Sequence, residues 1–299
     1  MILRAGTGAV RAPCRPCRAG VVLAIVLAAG TVVSARADDA PARPSRSELS
    51  RDFSDPLTTV PQLFLLDAYT PQSFGTAAQA NRVIARFIAP RVPRFSLFPF
   101  PQLIRPALSL VTVPTGRGKG TRTTFGDLAL FDLLVVPWPG RETGLFLGVG
   151  PTFVFPTATA RGAGLRAWQV GPAFGAIYKG VPGLLLGVLV QNPISFAYTS
   201  PRHQAVSTLS VQPIALQYVG KGFYVKSADA TWTRGWHAGG PTLVPLSLGV
   251  GYVWLRDDRP PLNFFVSGEW MAYRHDAPAA PQVTVRFGVT VAFPELSPW

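Results

Sequence analysis

The chain has 299 residues, 48% of them apolar and only 14% charged, with 29 glycines and 30 prolines spread along it. That mixture argues against an ordinary soluble helical or mixed domain: no helix-period stripe lasts beyond about three turns, and turn residues divide the chain into segments that read as strands. The formal net charge of +13 raises the question of nucleic acid, but the basic residues are scattered and not gathered on one helix or stripe, which argues against such a partner.

In chain order, Arg4, Arg11, Arg15 and Arg18 precede the apolar run from Ala19 to Val33, which ends in Ser34-Ala-Arg-Ala37 before two aspartates. The run is shorter than the roughly 20 residues a helix needs to cross a bilayer, and small residues stand where a signal peptidase reads. A secretory signal peptide over residues 1–37, cleaved after Ala37, is expected, with an uncleaved anchor as the alternative. Cleavage would remove five of the 28 basic residues and no acidic one, leaving 23 against 15, a net charge of about +8. That remainder suits an inner rim facing anionic headgroups, or a lumen that favours anions. Cys14 and Cys17 would leave with the presequence, so neither a disulfide scaffold nor a thiol nucleophile is expected in the mature chain.

Residues 38–60 open with the polar, proline-containing stretch Asp38-Asp-Ala-Pro-Ala-Arg-Pro-Ser-Arg-Ser47 and read as a flexible periplasmic lead-in. Residues 61–299 read as one all-β domain, a single antiparallel transmembrane β-barrel. Strands are expected near 62–69, 82–90, 105–113, 125–135, 143–155, 167–178, 183–194, 205–217, 222–231, 242–254, 262–273 and 282–293. Several run to a dozen residues, against about 5 or 6 in a typical soluble strand. Without helices to cover them, closure on itself is how such a sheet satisfies its edges. Twelve strands is an even number, which returns both termini to one side; ten is the alternative.

The last strand shows the pattern best. Val283, Val285, Phe287, Val289, Val291 and Phe293 share one face, with Thr284, Arg286, Gly288, Thr290 and Ala292 on the other. Val244, Leu246, Leu248, Val250, Tyr252 and Trp254 alternate with Pro245, Ser247, Gly249 and Gly251; Leu262, Phe264, Val266 and Trp270 oppose Asn263, Ser267 and Glu269. Tight links at 138–142, 179–182, 218–221 and 255–261 alternate with looser ones at 156–166, 195–204, 233–241 and 274–281, as short periplasmic turns alternate with longer outer loops. The stretch Arg91–Ile104 is long for such a turn. Trp138, Trp168, Tyr178, Tyr198, Tyr218, Trp232, Tyr252, Trp254, Trp270 and Tyr273 fall near strand ends, where amphipathic rings favour the headgroup layer. The terminal Trp299 suits recognition by barrel-assembly machinery.

Certain blocks also resemble a known family. Gly144-Leu-Phe-Leu-Gly-Val-Gly-Pro-Thr-Phe-Val-Phe-Pro-Thr-Ala-Thr159, Trp168-Gln-Val-Gly-Pro-Ala173, Gly183–Gln191, Val211-Gln-Pro213 and Val285-Arg-Phe-Gly-Val-Thr-Val-Ala-Phe-Pro294 are similar to the exported proteins named for the MetA pathway of phenol degradation, at times labelled neuromedin U. The resemblance covers roughly residues 80–294. It implies an outer-membrane barrel of transporter type near aromatic-compound catabolism, and it supplies no catalytic residue or substrate.

Motifs for chemistry are sparse. His203, His237 and His275 fall in expected outer loops without ligand spacing, so no metal is assigned. Gly116-Arg-Gly-Lys-Gly-Thr121 lacks the glycine spacing and following helix of a phosphate loop and reads as a basic outer loop, suited to the phosphates of surface glycolipid. Ser195, Ser200 and Ser207 lie near His203 without a nucleophile elbow, so no catalytic residue and no cofactor are assigned, and an enzyme is not expected. Arg286 and Glu269 are the lumen-facing candidates, because a charge facing lipid near the membrane centre costs roughly 2–4 kcal/mol. Their expected roles are an interior salt bridge or contact with solute. Lys226 and Asp229, three apart, fall on opposite faces under strict alternation, so one lies near a rim or a bulge changes the register.

The resulting expectation is an outer-membrane channel or transporter-like barrel for passive passage of small hydrophobic or aromatic solutes. A non-conducting surface-interaction barrel, or a lipid-modifying or hydrolytic enzyme, are the alternatives.

Overall fold

A computed structural model describes residues 45–58, 60–76, 79–90, 102–114, 120–136, 144–160, 162–200, 205–227, 229–237, 239–256 and 259–296. The expected signal peptide, the loop 115–119, His203, Trp138 and Trp299 lie outside these residues.

Among the described residues there is one α-helix, α1 (Arg46–Asp52), and fifteen strand segments. These are β1 (Gln62–Ser73), β2 (Ala80–Pro90), β3 (Gln102–Pro114), β4 (Thr121–Phe125), β5 (Leu128–Val136), β6 (Leu145–Phe155), β7 (Ala167–Tyr178), β8 (Leu184–Gln191), β9 (Ile194–Tyr198), β10 (Thr208–Gly220), β11 (Phe223–Ser227), β12 (Trp232–Gly235), β13 (Thr242–Arg256), β14 (Arg259–His275) and β15 (Pro281–Ala292). Each pairs antiparallel with its neighbours, and β15 returns to β1 with Leu65 opposite Val289 and Ala68 opposite Arg286, which closes the sheet.

Three spans are interrupted. β4 continues into β5, β8 into β9 and β11 into β12, so the segments form a closed barrel of twelve strands. The breaks have local causes. At Gly126 a Cβ would stand 2.3 Å from Ser109 Oγ, so only glycine allows the chain to bend there. Between β8 and β9, Pro193 has no N–H to give to the ladder. The expected spans and observed strands coincide in number and nearly in position; β3 starts at Gln102, inside the stretch expected as connection.

Alternation sets the two faces. Val283, Val285 and Phe287 are exposed on the outer surface, while Thr284, Thr290 and Ala292 are buried on the inner one. On β13, Leu246, Leu248 and Val250 point out and Ser247 and Val253 point in. Apolar side chains on the outside are what lipid solvates, and the inner face is left for polar groups and close packing. Trp168, Trp232, Trp270 and Tyr273 are exposed toward the end of the barrel that carries the 156–166 and 276–280 connections, with Tyr178 at the other end.

Of residues 38–60, expected as a flexible lead-in, residues 45–58 and 60 are described, and they include α1. Ser45 caps α1: its Oγ accepts from Glu48 N at 3.2 Å, and Glu48 Oε2 accepts from Ser45 N at 2.7 Å. Those bonds hold the Glu48 carboxyl below its usual range. The polar composition misleads because the apolar residues are few and spaced: Leu49, Phe53 and Leu57 recur every fourth position and all three are buried.

Candidate functional site: the barrel lumen

The segment from Ser45 to Thr58 lies against the inner wall near the end of the barrel where the chain enters β1 and leaves β15. Leu49, Phe53 and Leu57 join one apolar cluster with Ile88, Leu103, Leu133, Ile177, Leu185, Leu216 and Val253, drawn from strands around the barrel. Glycines make the space. A Cβ on Gly148 or Gly175 would stand 2.5 or 2.9 Å from Leu57 Cδ2, so these two positions accept the leucine as a knob on the wall. Lys179, in the turn after β7, reaches Asp55 Oδ2 at 2.5 Å and Asp52 Oδ1 at 3.2 Å. Asp55 Oδ1 in turn accepts from Leu57 N at 2.7 Å, which ties the ion pair to the backbone that presents the knob. Burial alone would lower the lysine's pKa, but the two carboxylates outweigh it and hold it above 10.5; burial raises the Asp52 carboxyl above its usual range, against the pull of Lys179. This segment is a plug with an apolar root and an ionic latch.

Phe53, Ser54, Asp55 and Pro56 of the plug face a cavity of about 350 Å³ inside the barrel. Its wall combines rings with cations. Phe64 of β1 and Phe265 of β14 stack across β15, with centroids 6.0 Å apart and planes at 23°. They meet because Gly288 of β15 lies between them: a Cβ there would stand 2.0 Å from Phe265 Cε1. Each ring carries a cation over its face, Arg86 at 4.5 Å from the Phe64 centroid and Lys226 Nζ at 3.2 Å from that of Phe265. On β3, Arg105 lies 4.5 Å over Phe131. Tyr224 uses the same device, lying over Gly251 and donating from its hydroxyl to Asn263 Oδ1 at 2.7 Å.

The sequence and the curated proteins give no direct relative: no family model and no curated protein matches the chain. Among solved structures, an outer membrane channel from Pseudomonas putida F1 superposes with a TM-score of 0.59 at 11% identity, covering 80% of this chain and 98% of that one. This is the fold of an outer-membrane barrel. Two porins superpose less closely: the KdgM porin, with a TM-score of 0.46, 8% identity and 78% and 99% coverage, and the NanC porin, with 0.46, 10%, and 77% and 98%.

In this barrel Arg286 and Glu269 stand on adjacent strands, and Arg286 Nη1 donates to Glu269 Oε2 at 2.6 Å. The same nitrogen donates to the Asp229 carbonyl at 2.9 Å. The Lys226 and Asp229 problem is solved by the interruption between β11 and β12, which turns Asp229 inward. Its Oδ1 accepts from Lys226 Nζ at 2.9 Å and its Oδ2 from Ser267 Oγ at 2.7 Å. Of the histidines, His275 is exposed beside Asp276 at 3.2 Å and His237 is exposed in the link between β12 and β13. Ser195 Oγ accepts from Val206 N at 2.8 Å and lies 2.9 Å from Tyr198 Oη, so it serves the fold of its loop.

Sequence reasoning missed Arg82, Arg86 and Arg105, which line the cavity. The signal was there for two of them: Arg82, Ile84, Arg86 and Ile88 share one face of β2 by simple alternation. The same cost of facing a charge to lipid that assigns Arg286 would have marked that face as the lumen, with the wholly apolar Val83, Ala85 and Phe87 opposite.

Proposed function

We propose that this chain is a passive outer-membrane channel for small hydrophobic or aromatic solutes, closed at rest by its own N-terminal plug. The observation that carries the reading is the cavity walled by a stacked ring pair and by guanidinium groups inside a closed barrel. Rings offer a flat apolar solute contact area, and fixed charges select among those that enter. The likeness to a solved outer membrane channel supports the architecture, and the resemblance to the exported proteins of the MetA pathway supports aromatic compounds as cargo. The reading includes export behind a cleaved leader, insertion by barrel-assembly machinery, and contacts with outer-membrane lipid and surface glycolipid. Passage requires the plug to shift, because its root fills the lumen beneath the cavity.

The test is single-channel recording of the refolded mature protein in planar bilayers, with phenols and aromatic acids added as blockers. Discrete openings that these solutes reduce support the channel. A correctly folded barrel that stays silent, even after deletion of residues 45–58, overturns it and favours a surface-interaction role.

A further inference from the structure

The charges on the cavity wall do not balance. Arg82, Arg86, Arg105, Lys226 and Arg286 all line it. Asp229 pairs with Lys226 and Glu269 with Arg286, while Asp55, the remaining carboxylate on the wall, is taken by Lys179. Arg82, Arg86 and Arg105 form no ion pair among the described residues. Asp127, at the break between β4 and β5, hydrogen-bonds the amides of Ala158 and Leu165 and acts on Arg82 only at longer range, as Asp229 does on Arg86, while Arg105 has no carboxylate acting on it among the described residues.

We propose that Arg86 and Arg105 form a binding site for a small organic anion, a carboxylate carried on a flat apolar body, with Arg82 adding positive charge further along the same wall. This rests on the channel reading and names the solute class it would take. The register places Arg86 and Arg105 together, with Arg82 about 13 Å further along the same face of β2. Arg82 and Arg86 share the inner face of β2, and Arg105 is two residues along β3 from Ala107, the cross-strand partner of Arg86. Diagonal neighbours on one face lie roughly 7–8 Å apart, a distance that a carboxylate bridges. Two guanidinium groups brought together in a wall of low polarisability repel one another, and an anion between them relieves that repulsion.

The rings hold the donors in place. A guanidinium centred over a ring, as Arg86 is over Phe64 and Arg105 over Phe131 at 4.5 Å, is anchored there, and its N–H groups not facing the ring are left for the two oxygens of a carboxylate. The apolar part of the ligand has the Phe64–Phe265 pair and Ile84 on the same wall. A volume of about 350 Å³ lies near the lower end of the roughly 300–1,000 Å³ typical of small-molecule sites, which suits a single ring with one charged substituent.

Binding is measured without conduction, so this site and the channel can fail separately. The detergent-folded full barrel is titrated with para-fluorobenzoate and followed by fluorine NMR, with para-fluorobenzyl alcohol and inorganic phosphate as comparators. The expected result is binding of the benzoate at least about tenfold tighter than of the alcohol or of phosphate, and weakening by about tenfold or more in Arg86→Gln/Arg105→Gln. If that pair does not fold, Arg86→Gln alone is expected to weaken binding in the same direction. Equal affinity for the neutral alcohol, equal affinity for phosphate, or unchanged binding in the folded variants overturns the site. A barrel that binds fluorobenzoate yet never conducts keeps the site and loses the channel.

Discussion

Among the described residues Lys179 is the cation that pairs with the plug's carboxylates, and Lys179→Met removes the charge while keeping the length of the stem. Its side chain is 14% exposed and that of Asp55 only 3%, so the pair is little screened by solvent. Removing one partner of such a pair costs about 3–5 kcal/mol, because Asp55 is left charged and buried. The apolar root resists: Leu49, Phe53 and Leu57 each contribute about 1.5–3 kcal/mol by burial. The variant plug therefore stays mostly docked but leaves the lumen roughly 10²–10⁴-fold more often. Hydrogen exchange reads this at the amides of Leu49 and Phe53, which donate to the Ser45 and Leu49 carbonyls in the docked helix. Adding Asp55→Asn should restore most of the protection, since Asn keeps an oxygen for Leu57 N and removes the more deeply buried of the two carboxylates that Lys179 pairs with. Unchanged exchange in Lys179→Met, with the barrel folded, would refute the latch.

The latch also sets a pH dependence. Because the folded-state pKa of Lys179 is raised, its contribution is fully present below 10.5 and is lost only as pH rises through the higher folded value. Fluorescence anisotropy of a dye on Arg46→Cys should stay flat from about pH 7 to about pH 10 and fall above; a midpoint at or below 10.5 would contradict the pairing. Gly288→Val forces a side chain into the space of the Phe265 ring and should lower the urea midpoint of the folded barrel by an amount equivalent to about 1–3 kcal/mol; an unaltered midpoint would mean the ring pair has room to move. Val285→Arg places a cation on the outer face and should cost about 2–4 kcal/mol if the site lies near the membrane centre, seen as reduced folding into vesicles; wild-type yield would show that the face is not in lipid.

The barrel was legible because lipid imposes its pattern residue by residue. A strand solvated by acyl chains on one side must alternate, and Val283, Val285 and Phe287 against Thr284 and Arg286 carry that alternation in the sequence itself. The interrupted spans were partly legible, through Pro193 and through the odd spacing of Lys226 and Asp229. The plug was not: three apolar residues in a polar stretch of fourteen look like a linker until a wall with glycines at 148 and 175 is there to receive Leu57.

What the sequence determined by itself was the approximate position of the spans and which side of each meets lipid, with twelve spans expected and ten the alternative, since position and facing depend on neighbours along one chain segment. Only the tertiary structure decided which cations keep a carboxylate and which do not. Arg286 finds Glu269 one strand away, Lys226 finds Asp229 across a break, and Lys179 finds Asp55 from more than a hundred residues distant. Arg82, Arg86 and Arg105 find none among the described residues. Charge balance inside a barrel is a property of the closed ring, because each inner side chain faces strands that the local sequence does not contain.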